Sequence, residues 1–259
     1  MDFGKVRASW GQNGNDNIGN YGYTSVVSTG QNYTFGPGQI ITNGSVALGA
    51  SNPDLKWETS TQTNIGLDME FFNSRLQVIT DYYIKKTSDM LYALPVLSTA
   101  GTAPPTQNVA TAVNKGFEFG VNYAGGAGSA IRYNIGGNIT FINNEITNLG
   151  TGGEPINSGR IQSANSTVAR TDVGHPLASF YGYVTDGLFQ TQEEVTSAAF
   201  QNENTAPGDI RFRDLNGDNV IDVKDQTYIG NPIPKATYGL TGDISFMGFD
   251  LSMFWQGSQ

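Results

Sequence analysis

The chain has 259 residues, of which 38% are hydrophobic, and it carries a formal net charge of −9 with no cysteine. The acidic balance, 14 Lys and Arg against 23 Asp and Glu, argues against nucleic acid as a partner, because phosphate binding depends on clustered cations. The absence of cysteine excludes disulfides and thiolate metal sites, and no apolar run reaches the roughly 18 to 20 residues of a membrane-spanning helix.

Segments in which apolar and polar residues alternate recur along the chain, and a period of two is typical of strands with two unlike faces. In one of them Ile65 and Leu67 share a face while Gly66 and Asp68 share the other. In chain order the predicted strands are Lys5–Trp10, Asn64–Phe72, Arg75–Lys86, Lys115–Ala124, Ala130–Ile142, Thr237–Met247 and Phe249–Gln256.

The connections between these segments come in two sizes. Asn73-Ser74, Gly125–Ser129 and Met247-Gly248 are short and consist of turn-forming residues, whereas the stretches 11–63, 87–114 and 143–236 are long. Compact soluble domains seldom contain such long loops, but outer-membrane barrels combine short periplasmic turns with long extracellular loops. The sequence therefore predicts an all-β fold, an antiparallel meander that forms part of a large transmembrane β-barrel, with 143–236 as a long extracellular loop region.

This architecture makes two geometric predictions. The three short turns should lie at one end of the sheet and the three long loops at the other. One convex face of the sheet should be apolar and the opposite face polar. The residues expected on the apolar face are Ile65, Leu67, Leu76, Val78, Phe117, Phe119, Ile131, Tyr133, Leu240, Ile244, Leu251 and Met253.

Two other classes of protein compete with the barrel. The alternative is a secreted, Ca²⁺-stabilised β-sandwich that acts as an adhesion or carbohydrate-binding module, in which a second sheet would cover the apolar face. An enzyme such as a glycosidase would need two carboxylates that converge across a cleft, and the sequence offers only scattered carboxylates. No catalytic residues are predicted, and the chain is not expected to be an enzyme.

A series of short motifs runs through nearly the whole chain. They are KVRASWGQ at 5–12, NPDLKWET at 52–59, DYYIKK at 81–86, NKGFE at 114–118, FYGY at 180–183, DGLF at 186–189, PGD at 207–209, DLNGD at 214–218, IGNPIPK at 229–235 and FWQG at 254–257. In this order they resemble the SusC/RagA family of TonB-dependent outer-membrane transporters.

The resemblance implies a complete barrel of about twenty-two strands in the bacterial outer membrane, plugged by an N-terminal domain and surrounded by lipid. It also implies a SusD-like surface lipoprotein as a partner, energy supplied through TonB, and import of oligosaccharides or peptides. Residues 1–259 show no signal peptide, TonB box or plug and only six or seven strands, whereas barrels need at least eight. The chain is therefore interpreted as a partial C-terminal segment of such a barrel.

One stretch, 214–225, has the spacing of a calcium-binding loop. It places oxygen ligands at positions 1, 3, 5, 9 and 12 of a twelve-residue loop, with a main-chain carbonyl at position 7, and Ca²⁺ prefers six to eight oxygens. The candidate ligands are Asp214, Asn216, Asp218, Val220 (carbonyl), Asp222 and Asp225. The loop resembles an EF-hand but has Asn219 where Gly is usual and Asp225 where Glu is usual. The other interpretation is a solvated turn rich in Asp, Asn and Gly.

Other candidate residues belong to the same long loop region. His175, the only histidine, precedes a proline and is expected in a loop. Tyr181, Tyr183 and Phe189 are candidates for lining a substrate path.

Overall fold

The computed structural model describes residues 1–16, 22–47, 49, 51–93, 99, 101, 105–150, 152–161 and 166–259. Parts of the long connections 11–63, 87–114 and 143–236 lie outside the described residues. The strands, in chain order, are β1 (Phe3–Asn15), β2 (Val27–Thr29), β3 (Tyr33–Phe35), β4 (Ile40–Thr42), β5 (Ser45–Ala47), β6 (Glu58–Phe71), β7 (Leu76–Ala93), β8 (Thr106–Gly125), β9 (Ile131–Asn148), β10 (Ile156–Ile161), β11 (Ser166–Thr171), β12 (Ser179–Tyr183), β13 (Thr185–Leu188), β14 (Ile210–Phe212), β15 (Gln226–Gly230), β16 (Ala236–Phe246) and β17 (Phe249–Ser258). The helical segments are α1 (Gln192–Ser197) and a short 3-10 turn, Val223–Asp225.

The chain divides into two compact units. The first, Met1–Gly153 with Lys235–Gln259, contains a seven-stranded antiparallel sheet in the order β1-β6-β7-β8-β9-β16-β17. All seven predicted strands are present, and the order follows the sequence as a meander. Several strands extend farther than predicted at the ends that meet the long connections: β7 continues to Ala93, and β9 continues to Asn148.

The strand registers place all three tight turns at one end of this sheet. Phe71 pairs with Leu76, Gly125 pairs with Tyr133, and Phe246 pairs with Phe249 next to the short turns. At the other end, β1 leads into the first long connection, β7 into the second and β9 into the third. The prediction of two unlike ends is confirmed.

The tight turns have the backbone geometry that their sequences predict. Met247 and Gly248 both have positive φ values, 47° and 86°, as a two-residue hairpin turn of type I′ requires. At the β8–β9 turn, Gly126 has a φ of 77°, and a Cβ there would lie only 1.9 Å from the carbonyl oxygen of Ile131. The β8–β9 turn therefore requires glycine at position 126.

A bulge interrupts the β7–β8 ladder near the ends that meet the long connections. The register shifts between Thr87 and Met90, and Asp89 adopts a φ of 57°. The Asn108 side chain fills the resulting gap: its amide nitrogen donates to the carbonyl oxygens of Lys56 (2.8 Å) and Asp89 (2.7 Å), and its oxygen accepts from the Lys56 amide (2.8 Å). A side-chain amide thus replaces a backbone partner and ties the segment before β6 to β8.

The second unit, Glu154–Pro234, lies within the predicted loop region 143–236 and has secondary structure of its own. It contains a four-stranded sheet in the order β10-β11-β12-β15 and a two-stranded sheet of β13 and β14. Phe189 is 1% exposed and Ile156 is 6% exposed, so a small apolar core supports these short strands.

Candidate functional site: the two faces of the sheet and the loop unit

One face of the seven-stranded sheet is apolar. Directly paired residues of an antiparallel ladder lie on the same face, and one such row joins Ile65, Tyr82, Phe117 and Phe141. The registers place all twelve residues predicted for the apolar face on this side. Its expected convexity stays a prediction.

The apolar face is open. Ile65 is 58% exposed, Ile135 is 51% exposed and Leu251 is 55% exposed, so no second sheet of the described residues covers them. This exposure contradicts the β-sandwich alternative, in which the face would form the core. The apolar stretch of β9 from Ile131 to Phe141 spans ~34 Å at about 3.4 Å per residue. At a tilt of about 45° it would rise ~24 Å, close to the ~25 Å apolar band of an outer-membrane barrel.

The opposite face is polar and carries an ion-pair network. Arg7 of β1 contacts Asp68 of β6 at 2.8 Å and Asp81 of β7 at 2.8 Å. Gly66 lies in the row between Arg7 and Asp81, and a Cβ there would lie 2.2 Å from an Asp81 carboxylate oxygen and 2.7 Å from Nη2 of Arg7. The glycine therefore provides the space through which the guanidinium reaches across two strands.

The predicted calcium-binding loop is held by hydrogen bonds from its own backbone. Asp214 accepts from the amides of Gly217 (2.6 Å) and Asn219 (2.8 Å), and Asp218 accepts from the amide of Val220 (3.0 Å). Asn219 has a φ of 64°, which asparagine tolerates better than most residues.

Asp225 occupies the centre of this loop. The residue is 0% exposed, and its carboxylate accepts from the amides of Leu215 (2.9 Å) and Asp222 (2.8 Å). These backbone donors, that of Asp222 first, lower the pKa of Asp225 below its usual value despite the opposing effect of desolvation. Lys224 approaches Asp218 and Asp222 at 3.8 and 3.6 Å.

The described residues contain no group of three or more His, Cys, Asp or Glu side chains arranged to hold a metal ion. A carboxylate oxygen that accepts one hydrogen bond retains a second lone pair, so the observed bonds leave acceptor capacity on Asp214 and Asp218. The calcium site at Asp214, Asn216, Asp218, Val220, Asp222 and Asp225 stays a prediction.

A second polar cluster lies on the four-stranded sheet. The guanidinium carbon of Arg170 on β11 lies 4.5 Å from the ring centroid of Tyr181 on β12, and Tyr181 meets the Tyr228 ring edge-on at 5.2 Å. His175, located in a loop as predicted, stacks on Tyr228 at 3.6 Å, and the Tyr228 hydroxyl donates to Asp172 at 2.8 Å. Burial and the bond to Asp172 raise the pKa of Tyr228, so its hydroxyl remains a donor.

The three residues expected to line a substrate path have different environments. Tyr181 belongs to the cluster just described, whereas Tyr183 packs against Phe212 with a centroid distance of 5.1 Å. Phe189 is 1% exposed, so its assignment to a substrate path is wrong. Phe189 instead belongs to the small apolar core of the unit Glu154–Pro234.

Nearby, Arg213 forms an ion pair with Asp186. Hydrogen bonding from Arg213 lowers the pKa of Asp186, and hydrogen bonding to Asp186 raises the pKa of Arg213.

Among the described residues, no helix is both long enough and apolar enough to span a membrane.

Comparison with protein-family models matches residues 2–257 to the family described as TonB dependent receptor-like, beta-barrel. The chain is 32% identical over 257 residues to TonB-dependent receptor P3 of Formosa agariphila, covering 98% of this chain and 25% of that protein. It is also 32% identical over 265 residues to TonB-dependent receptor SusC of Bacteroides thetaiotaomicron, again covering 98% of this chain and 25% of the relative. The chain thus spans about a quarter of the length of these relatives.

Solved structures show the same fold. The RagAB peptide transporter superposes with a TM-score of 0.74 at 24% identity, covering 98% of this chain and 26% of the RagAB chain. The "open-open" state of the RagAB peptide importer superposes with a TM-score of 0.76 at 24% identity, with the same coverage.

Proposed function

Because the chain belongs to the TonB-dependent receptor-like β-barrel family, a family of outer-membrane proteins, we propose that it forms part of the barrel wall of a nutrient transporter. The observation that carries the proposal is the two-faced sheet. An uncovered apolar face and a polar, ion-paired face on the same seven strands fit a wall between lipid and an aqueous lumen. A closed barrel can place an apolar face against lipid because its backbone N–H and C=O groups all form hydrogen bonds between strands.

The unequal ends of the sheet give the proposed orientation. In outer-membrane barrels the short turns face the periplasm and the long loops face the outside. The turn at Met247-Gly248 and its two counterparts would then lie in the periplasm, and the unit Glu154–Pro234 would belong to the extracellular side.

The proposed cargo is an oligosaccharide or a peptide, and the proposed partners are TonB and a SusD-like surface lipoprotein. The likeness to SusC and the fold shared with the RagAB peptide transporter support this assignment. Both partners would act on the complete protein, of which this chain corresponds to about a quarter in the relatives.

The wall assignment is tested by labelling in cells. Single cysteines at Leu251 on the apolar face and Ser252 on the polar face, introduced into the complete transporter, should differ in environment, because neighbouring strand residues face opposite sides. A lipid-soluble maleimide should react with Leu251→Cys, and a membrane-impermeant maleimide that enters the lumen should react with Ser252→Cys. Equal labelling of both positions by the water-soluble reagent would contradict the proposal.

We further propose that the loop 214–225 binds Ca²⁺ and stiffens the extracellular unit without a catalytic role. Four carboxylates within twelve residues repel one another, and a cation would relieve that repulsion. Calorimetry on the complete transporter should show Ca²⁺ uptake at millimolar or lower concentration, and Asp214→Ala should remove it. Chelation should hasten proteolysis within 214–225 and leave the barrel folded, whereas the absence of Ca²⁺ uptake would leave a turn held by hydrogen bonds alone.

A further inference from the structure

Among the residues that the structure describes, no carboxylate forms an ion pair with the Arg170 guanidinium. Its Cζ atom lies over the Tyr181 ring, 4.5 Å from the ring centroid, which is the geometry of a cation–π contact. Within the described part of the chain, Nε of Arg170 is enclosed by protein and has no hydrogen-bond partner. A buried charged donor without an acceptor is costly, and native proteins usually pair it.

The carboxylate nearest to Arg170 in the sequence, that of Asp172, forms hydrogen bonds with other groups. Asp172 accepts a hydrogen bond from the Tyr228 hydroxyl (2.8 Å) on one oxygen and from the Val173 amide (2.8 Å) on the other. The backbone carbonyl of Asp172 accepts from the His175 amide (3.2 Å), which fixes the turn. Asp172 therefore bonds to Tyr228, and within the described ranges it forms no ion pair with Arg170.

The strand pairing places the side chains of Arg170, Tyr181 and Tyr228 on one side of the four-stranded sheet. Arg170 pairs with Ser179, and Tyr181, two residues after Ser179, pairs with Tyr228. All three ring and guanidinium groups are partly exposed, so a solute can reach the cluster. Tyr228 is braced by His175, which stacks on it at 3.6 Å.

We propose that the Arg170–Tyr181–Tyr228 cluster is a binding site for a carboxylate group of the transported molecule. Because Nε of Arg170 is enclosed, the terminal Nη1 and Nη2 groups would bond the two carboxylate oxygens, and the neighbouring rings offer faces for a sugar or an apolar side chain. Arg170 would bind the carboxylate, Tyr181 would hold the guanidinium by its cation–π contact, and Tyr228 would support Tyr181. The inference rests on the proposed transport function and narrows its cargo to acidic oligosaccharides or peptides with a free carboxylate.

The site is tested by chemical labelling of the complete, purified transporter, which does not depend on transport. Phenylglyoxal modifies accessible arginines, and peptide mass spectrometry reports each one separately. Arg170 should react in the ligand-free protein, and an oligogalacturonide or a peptide with a free C-terminal carboxylate should slow its modification about tenfold. The methyl-esterified oligogalacturonide and the amidated peptide should not protect it. Arg213, which is paired with Asp186, is the matched control and should be unaffected by all four ligands.

Each outcome decides the question. Protection by the oligogalacturonide alone, or by the peptide alone, identifies the carrier of the carboxylate. An Arg170 that does not react without ligand would overturn the proposal, because another group of the complete protein would then pair with it or cover it. An Arg170 that reacts but is protected by no acidic ligand would also overturn it, because the site would then bind no carboxylate. Arg170→Gln should abolish the preference of the complete transporter for acidic over neutral ligands in binding assays. Protection without TonB-dependent uptake would keep the site and refute the transport function.

Discussion

The seven-stranded sheet and the unit Glu154–Pro234 are specified by different kinds of interaction. The strands of the sheet run from 10 to 20 residues, and their period of two separates an apolar from a polar face. The strands of the unit run from 3 to 6 residues, and its loops depend on single side chains that bond to backbone amides, such as Asp214 and Asp225. The sheet should therefore respond to changes of polarity, and the unit to the loss of individual hydrogen bonds.

The largest expected effect comes from reversing polarity on one face of the sheet. Ile135→Lys introduces a charge on the apolar face, where Ile135 is 51% exposed, and should destabilise the complete transporter in a lipid bilayer by about 2–4 kcal/mol. Asn134→Lys, one residue away on the polar face, places the cation opposite Asp243 and should change the stability of the transporter little. Urea unfolding in bilayers measures both, and equal losses would remove the distinction between the faces.

A smaller effect is expected from filling the space between Arg7 and Asp81. Gly66→Ala adds a methyl group 2.2 Å from an Asp81 oxygen, so the ion-pair network must shift at a cost of about 1–2 kcal/mol. Gly120→Ala is the matched control on the polar face of β8, because a Cβ there meets no atom within 4 Å. The same unfolding assay should separate the two variants, and a Gly66→Ala protein as stable as Gly120→Ala would show that the network is dispensable.

The smallest effect on the whole protein should come from Asp225, because its role is local. Asp225→Asn replaces one accepting oxygen with a donor that faces backbone amides, so hydrogen exchange in 214–226 should become faster. Exchange in β8 and β9 should not change. Glu203→Gln, a change at an exposed position of the same unit, should leave hydrogen exchange in both regions as it is.

The same carboxylate predicts a pH dependence. Because the folded pKa of Asp225 is lowered, its contribution to loop stability is complete above the ordinary Asp value of about 4 and is lost as the pH falls through the folded pKa. Exchange in 214–226, corrected for its intrinsic pH dependence, should therefore rise below about pH 4 in the wild type. The Asp225→Asn variant should lack this rise.

The contrast between the two regions also explains what the sequence could predict. Alternation identified the strands and faces of the sheet, and turn chemistry identified the ends at which they connect. The extensions of β7 and β8 were not predicted, because polar and apolar residues do not alternate there. In β8, for example, the adjacent residues Val109 and Ala110 are both buried. The Asn108 side chain that bridges the bulge carries no periodic signal.

In the loop unit, sequence reasoning could propose ligands along a continuous stretch but could not foresee contacts between distant positions. Arg170, Tyr181 and Tyr228 come together only through the pairing of β11, β12 and β15. The motif FYGY at 180–183 and the His175 that precedes a proline were visible in the sequence, yet neither indicated that Asp172 would bond to Tyr228 and not to Arg170.

The alternation of short and long connections has a consequence for the order of folding. The hairpins β6–β7, β8–β9 and β16–β17 close over a few residues, whereas β9 and β16 pair across residues 149–235. Loop-closure entropy rises by about 0.6 kcal/mol for each doubling of length, so this junction costs ~3 kcal/mol more than a four-residue turn. We expect the three hairpins to form first and the β9–β16 junction to be rate-limiting, unless Glu154–Pro234 condenses early and shortens the chain that must be closed.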